Sequence, residues 1–566
     1  AVMRRAPIAL TVALMLCLLT VLPSFYQPAQ ASHAIGAVVV DEEQKVFRSL
    51  LSLVKALVEN VSQYGFVNEI PVEYFNMSDA SYSDTISNPA YLPLWFIHLY
   101  HLVGDNQALI VHVNAWLKAC YNLSGAYFWG YNLTAGKKQN AGMVVSNYAV
   151  LTLYLTHLYE ITGNLTYLQI SKKIMNKIYI KSQENPQKLP PYTIYSDGSS
   201  SYYGSDGALA DTSFTVALVS KFLGQYFNNE TWLTFADDIV RSYFKYKLPP
   251  NIINVTDGSP NSDKCAYIYA GTPCLVVTIL RWAKLKNFDT TWYGIFAQNI
   301  TKLYVALLEH GKSEGYSLLY SASCVDWNGS LISPSSGYSM YNSANIARFW
   351  LCLYAFTRNN TYLELAKSVM DEVNRIFKLK YGWASSWDRN SLTDNSTSVP
   401  KWIRNLCSNL MLYYFTGNKT YRDIVVSMLK DVVPILLSKP YGIVPSWDAN
   451  TGAITNDRTG LIWLFEPIME ILSLLYLPDS GFYWSVARGR LKLPVGTNTV
   501  FDIQNGRVTN LLIEANKITH LKVALEGALA SVSLNGTDWL FYNSTAVALP
   551  PGLWKLNITW GTPPDD

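Results

Sequence analysis

Apolar residues return every three to four positions along 144–159, at Tyr148, Leu151, Leu155 and Leu158. A second run follows along 167–180. It has Leu168, Ile174 and Ile178 on one side and a polar stripe around Lys172 and Lys177 on the other. This spacing is the period of an amphipathic helix packed on a neighbour. The same pairing recurs as 210–227 with 232–246, and as 345–356 with 362–377. Further helices are predicted over 46–61 and 461–476, for about 14 in all.

A repeated phrase joins the members of each pair. Leu158-Tyr-Glu-Ile-Thr-Gly-Asn-Leu-Thr-Tyr-Leu168 is echoed by Leu353-Tyr-Ala-Phe-Thr-Arg-Asn-Asn-Thr-Tyr-Leu363 and by Tyr413-Tyr-Phe-Thr-Gly-Asn-Lys-Thr-Tyr421. Weaker copies stand near residues 104, 228 and 288. The copies recur about every 55–70 residues and define six units. Gly or Asn in the turn tolerates the left-handed backbone that stops a helix, and Thr is suited to cap the next one. Helices before the turn carry few charges and should be buried all round; those after it carry more. The first set therefore forms an inner ring and the second an outer ring. A circle of such hairpins covers every apolar face, whereas an open solenoid needs capping repeats.

With this layout and turn phrase, residues 44–476 resemble the six-hairpin glycosidase-like superfamily. The resemblance implies an α/α toroid of six hairpins, or seven if all the predicted helices pair. It also implies a fold shared by glycoside hydrolases, sugar epimerases and some polysaccharide lyases. It marks the fold and carries over no catalytic residue.

From Ser480 the period changes to that of short strands, at 482–486, 490–493, 499–503, 511–514, 522–525, 530–534, 539–542 and 553–559. Turns rich in Gly, Asn and Pro separate them, which reads as a small all-β sandwich. The chain thus divides into a leader over 1–31, a mainly α toroid over 32–478 and a β-sandwich over 479–566. The last of these suits a carbohydrate-binding, lid, oligomer-contact or stabilising role alike.

Composition changes this picture in two ways. Only 15% of the residues are charged, and Lys plus Arg (44) nearly balances Asp plus Glu (41). No basic footprint for nucleic acid exists. The surface must instead be built largely from Tyr, Ser, Thr, Asn and Gly.

The chain is expected to be exported. Arg4 and Arg5 precede the uncharged run 6–22, followed by Pro23 and then Ala29-Gln30-Ala31. That is the pattern of a secretory signal cleaved after Ala31. No Asp, Glu, Lys or Arg appears between Arg5 and Asp41, so a retained membrane anchor is the alternative. Of 40 Asn residues, 15 begin an Asn-x-Ser/Thr triplet, against about six by chance. They are Asn60, Asn76, Asn122, Asn132, Asn164, Asn229, Asn254, Asn299, Asn328, Asn359, Asn395, Asn418, Asn535, Asn543 and Asn557. Glycosylation there would supply solubility that charge does not. Outside the leader the six cysteines permit disulfides, with Cys265 and Cys274 the nearest local pair. Buried thiols are an equal reading for Cys352 and Cys407. No cofactor motif or metal-ligand spacing is present.

Long connections lie on one rim of the expected ring, and scaffolded loops are where sites tend to be. Two of them echo each other, Tyr381-Gly-Trp-Ala-Ser-Ser-Trp-Asp388 and Tyr441-Gly-Ile-Val-Pro-Ser-Trp-Asp448. Aromatic rings beside carboxylates suit sugars, and glycoside hydrolysis needs two carboxyl groups. The candidates are Glu466 or Asp457 as acid and Asp388 or Asp448 as base, with Asp211 as a further carboxylate. Trp383, Trp387, Trp447, Tyr202 and Tyr203 would form the platform. Arg348 and Arg404, on inner helices, would clamp a uronate. Each has a structural reading beside it. Asp211 and Asp457 fit helix caps, and the echoed phrase fits a hairpin whose Trp plugs the ring. Glu466 precedes Pro467 at a kink, and the two arginines fit bridges between helices.

Two functions follow. One is an exported carbohydrate-active enzyme, a glycoside hydrolase ahead of an epimerase or lyase, with carbohydrate as its partner. The other is a glycosylated surface protein without catalysis, either an envelope component or an exported subunit of a membrane-anchored assembly.

Overall fold

A computed structural model of the chain describes residues 66–86, 106–261, 275–460 and the strands between 483 and 560, with short gaps. Ten helices are described along their whole length: α1 (Asn106–Cys120), α2 (Val145–Thr162), α3 (Leu165–Gln183), α4 (Ala210–Phe227), α5 (Glu230–Phe244), α6 (Thr291–Ser313), α7 (Met340–Thr357), α8 (Asn360–Ile376), α9 (Val399–Thr416) and α10 (Lys419–Leu436); helical residues within 275–283, before α6, are described in part. The helices expected over 46–61 and 461–476 lie outside the described residues.

The fold is mainly α, an α/α toroid followed by a small β-sandwich. Hairpins α2–α3, α4–α5, α7–α8 and α9–α10 pack internally, while α2 packs on α4 and α7 on α9. Inner helices are enclosed on nearly every side: α4 buries Phe214, Val216, Leu218, Val219, Phe222 and Leu223 around its whole circumference. Outer α8 buries only Leu363, Ala366, Val369, Met370 and Val373. Those positions are spaced by three and four, one stripe of a helix, with Glu364, Lys367, Asp371 and Arg375 between them.

The turns inside α2–α3, α4–α5 and α9–α10 obey one local rule, and Asn359 caps α8 in the same way, whereas Thr290 before α6 provides no side-chain cap. The inner helix stops on a left-handed residue, Gly163 (φ 70°), Asn228 (φ 52°) or Gly417 (φ 71°). The next residue caps the outer helix, and it is an asparagine: Oδ1 of Asn164, Asn229, Asn359 and Asn418 accepts a backbone N–H of the first turn at 3.0, 3.2, 3.0 and 3.0 Å. The sequence phrase was expected to cap through its Thr; Asn does so instead, because it stands one position before the first helical residue.

Inner helices begin differently. A short strand runs straight into each, and Val144, Leu209 and Ser398 at the cap positions provide no side-chain bond. The first helical N–H bonds to a carbonyl in the loop after the same hairpin. Val145 reaches Tyr192 O at 2.9 Å, Ala210 reaches Asn251 O at 2.8 Å, Met340 reaches Ser385 O at 3.1 Å and Val399 reaches Pro445 O at 2.9 Å. The strands pair likewise, 142–144 with 193–195, 207–209 with 252–254, 338–339 with 386–387 and 396–398 with 446–448. Strand Arg458–Gly460 pairs with Tyr74–Asn76, which joins the last described unit to the first and closes the circle.

In the sandwich one sheet has the order 490–491, 483–487, 519–524, 546–549, and the other 500–504, 507–515, 552–560, 529–534, 537–538. Val532 faces Ile558 and Leu534 faces Leu556, four buried side chains on one face of adjacent strands. The strand at 546–549 was not anticipated, and the one expected at 539–542 lies outside the described residues.

Two expectations are corrected. Among the described residues there is no disulfide: Cys120, Cys352 and Cys407 are buried thiols, and burial pushes the Cys120 thiol up to about 12. The pair Cys265 and Cys274 lies outside the described residues. No described helix is long and apolar enough to cross a membrane, so the expected anchor has no counterpart among them; the leader lies outside the described residues.

The cap rule predicts that Asn359→Ala and Asn418→Ala each cost about 1 kcal/mol in chemical denaturation, while Asn→Asp at either position stays near wild type.

Candidate functional site

The long-loop rim is a ring of small antiparallel sheets at the N-terminal ends of the inner helices. At the tips of these hairpins an aspartate repeatedly folds back on the backbone. Asp388 accepts from the N–H groups of Ser391 at 2.8 Å and Asn390 at 2.9 Å. Asp448 accepts from Thr451 N at 2.8 Å, Asn450 N at 2.9 Å and Thr451 Oγ1 at 3.0 Å. Asp197, Asp257 and Asp326 do the same with Ser199, Ser259 and Asn328. The N–H of Ser391 and then that of Asn390 hold the Asp388 carboxyl below its usual range, and that of Thr451 leads for Asp448. Such carboxylates stay ionised and shape turns, a poor starting point for a proton donor.

The tryptophans of the echoed phrase point inward. Trp383 is fully buried and donates Nε1–H to Asn374 Oδ1 at 3.1 Å, and Asn374 Nδ2 continues to Asn409 Oδ1 on α9 at 2.7 Å. Trp447 is fully buried, donates to Tyr381 O at 2.6 Å and lies edge-on to Trp402, centroids 6.1 Å apart. Neither presents a face to a ligand. Trp387 is half-buried and stacks on its cross-strand partner Tyr338, with Tyr316 against its edge at 4.7 Å.

That aromatic group carries an ion pair that the sequence did not reveal. Arg389 grips Glu314, at the end of α6, through Nε at 2.5 Å and Nη2 at 3.0 Å. Tyr338 and Tyr320 donate their hydroxyls to the same carboxylate at 2.7 and 3.0 Å. Arg389 has a left-handed backbone (φ 85°), where the sister turns place Gly198 and Gly258 after the aspartate. Gly337 is required beside it, because a Cβ there would lie 2.2 Å from Trp387 O. The Arg389 hydrogen bonds, joined by those of the two tyrosines, lower the Glu314 pKa to about 2.

Polar side chains enter the ring from the inner helices. Arg404 on α9 donates to Tyr341 Oη on α7 at 2.7 Å and lies 5.4 Å from its ring centroid. Lys401, one turn earlier, donates to Ser385 Oγ at 2.7 Å, and burial depresses its pKa. Arg348 is buried on α7, and Asp211 is half-buried in the first turn of α4. Asp457 is half-buried at the closing seam, where it accepts from Ser78 Oγ at 2.5 Å. Tyr202 accepts from Asn185 Nδ2 at 2.7 Å, while Tyr203 is 43% exposed. Glu466 lies outside the described residues. The structure therefore brings Arg404 and Tyr341 together, holds Asp388 and Asp448 in separate turns, places Asp211 in the first turn of α4 and leaves Asp457 at the closing seam.

Large exposed aromatic side chains are confined to this rim: Tyr74, Tyr82, Tyr195 and Tyr203, between 37% and 43% exposed among the described residues. Among those residues no three His, Cys, Asp or Glu side chains come together as a metal site.

No protein-family model and no curated protein matches the sequence. Among solved structures, the α-1,2-mannosidase from Trichoderma reesei matches at 12% identity over 82% of this chain and 97% of its own, with a TM-score of 0.54. The chain shares the α/α toroid fold of that structure. A D-mannose isomerase matches at 12% identity over 79% of this chain and 99% of its own, TM-score 0.48. A cellobiose 2-epimerase from Bacillus thermoamylovorans B4167 matches at 11% over 63% and 95%, TM-score 0.45.

The Glu314–Arg389 grip makes a pH prediction. A depressed carboxylate pKa stabilises the fold above the ordinary value of 4.5 and loses that contribution as pH falls toward about 2. Glu314→Gln should therefore lower the thermal midpoint near neutral pH, with the gap closing between about pH 4.5 and 2. In the same assay Asp448→Ala should lower the midpoint more than Asp448→Asn, since Asn retains an oxygen for the turn.

Proposed function

We propose that the chain is an exported carbohydrate-active enzyme, a glycoside hydrolase that takes glycan at the mouth of the toroid. The observation that carries the reading is the confinement of exposed tyrosines to the long-loop rim, beside polar side chains that enter from the inner helices. Tyr203 and Tyr195 offer flat apolar faces to a pyranose, and Arg404 with Tyr341 offers donors to its oxygens. Asp211 supplies one carboxyl group from the first turn of α4, and Asp457, at the seam, or Glu466 supplies the other. Asp388 and Asp448 shape turns of the surrounding rim.

A second reading is a glycosylated surface protein without catalysis. The burial of Trp383 and Trp447, which plug the wall of the ring, favours it.

A glycan-library cleavage screen of the full chain, at neutral and acidic pH, separates the two. Asp211→Asn should reduce cleavage by at least about 100-fold with an unchanged thermal midpoint, as loss of an acid–base group does. Asp448→Asn should retain most activity. No cleavage of any glycan, or an active Asp211→Asn protein, would overturn the assignment.

A further inference from the structure

The asparagines that cap the outer helices also open Asn-x-Thr triplets: Asn164-Leu-Thr166, Asn229-Glu-Thr231, Asn359-Asn-Thr361 and Asn418-Lys-Thr420. In all four the cap bond is accepted by Oδ1. The atom that takes a sugar in such a triplet is the other one, the amide nitrogen Nδ2. Capping and glycosylation therefore make no claim on the same atom. Thr166, Thr231, Thr361 and Thr420 are exposed, as are Asn359 and Asn418, and Asn164 and Asn229 are half-buried. Beside Asn164 the apolar Leu165 stands 58% exposed, a surface that a glycan would shade.

Position adds to chemistry. Each of these asparagines follows the C-terminal end of an inner helix, so all four lie on the short-turn rim, away from the long loops. Bulk there meets neither the packing of hairpins nor the mouth.

Other triplets are built against modification. Asn299 lies inside α6, and the hydroxyl of Thr301 is enclosed. The side-chain oxygen of Asn395 is enclosed, and Thr397 is 1% exposed. Asn254 donates its Nδ2 to Asp206 at 2.5 Å.

We infer that Asn164, Asn229, Asn359 and Asn418 carry N-linked oligosaccharides, a ring of glycans on the rim opposite the mouth. The inference requires export but not catalysis. The donor is a lipid-linked glycosyl phosphate. Nδ2 bonds to C1 of the sugar, the C1–O bond breaks with its electron pair leaving on the phosphate, and one amide proton passes to a base of the transferring enzyme. Nothing is oxidised or reduced.

The test is peptide mapping of the full chain from its own cells, after an amidase that converts each glycosylated Asn to Asp in heavy-oxygen water. The four cap positions should carry the label, with Asn299 and Asn395 unlabelled. Thr166→Ala, Thr231→Ala, Thr361→Ala and Thr420→Ala should each remove one glycan mass while the Asn cap remains. Their thermal midpoints after deglycosylation should match that of the deglycosylated wild type. Asn→Asp at the same sites should remove the same mass and keep the cap. Recovery of the four peptides as unmodified Asn would overturn the inference. So would label at Asn299 and Asn395 equal to that at the caps, or a glycan mass unchanged by the Thr→Ala variants.

Discussion

The first N–H of an inner helix has no partner within its own helix, and in this chain a neighbouring loop supplies one. Val145, Ala210, Met340 and Val399 each give that hydrogen to a carbonyl in the loop after the same hairpin. Apolar Val144 and Leu209 can stand at the cap positions for this reason. The cost of an unsatisfied buried donor falls on any arrangement that separates a hairpin from its next loop. Neighbouring units are thus registered by backbone geometry, and the apolar inner helices are brought into contact at one fixed height. The pairing of 458–460 with 74–76 is a strand joint like those beside these bonds, between the last described unit and the first.

The device also determines what the rim can hold. Loops that must offer a carbonyl at a fixed place need rigid turns, and the aspartates at 197, 257, 326, 388 and 448 provide them through side-chain oxygens. In a chain with so few charges, these five carboxylates are thereby committed to backbone. Buried indoles fix the same loops from beneath, Trp447 through the Tyr381 carbonyl and Trp383 through a relay of asparagines to α9. The groups left for ligand chemistry are on the inner helices and at the seam, together with tyrosines that no packing requirement encloses.

Much of the architecture could be read from the chain, because helix period and turn chemistry are local. Gly417 and Asn418 announce a helix stop and a helix start within two residues, and the phrase recurs often enough to count the units. Strands 446–448 and 386–387 are a different matter. Their partners are other loops far away in sequence, so Ser-Trp-Asp read equally as a binding phrase and as a hairpin whose Trp plugs the ring; Trp447 is buried and Asp448 shapes a turn. The Glu314–Arg389 grip was hidden for the same reason: the two residues belong to different hairpins, and only the pairing of 338–339 with 386–387 brings them together. A charge-poor patch of Tyr and Trp carries no signal of its own ion pair.

Closure by strand 458–460 has a consequence for connectivity. The seam between the last described unit and the first is a strand pairing like those at the joints inside the ring, so a covalent link is not what holds these two units together there. A circularly permuted chain, opened in another rim loop and linked across the present seam, would present the same set of neighbours to every helix.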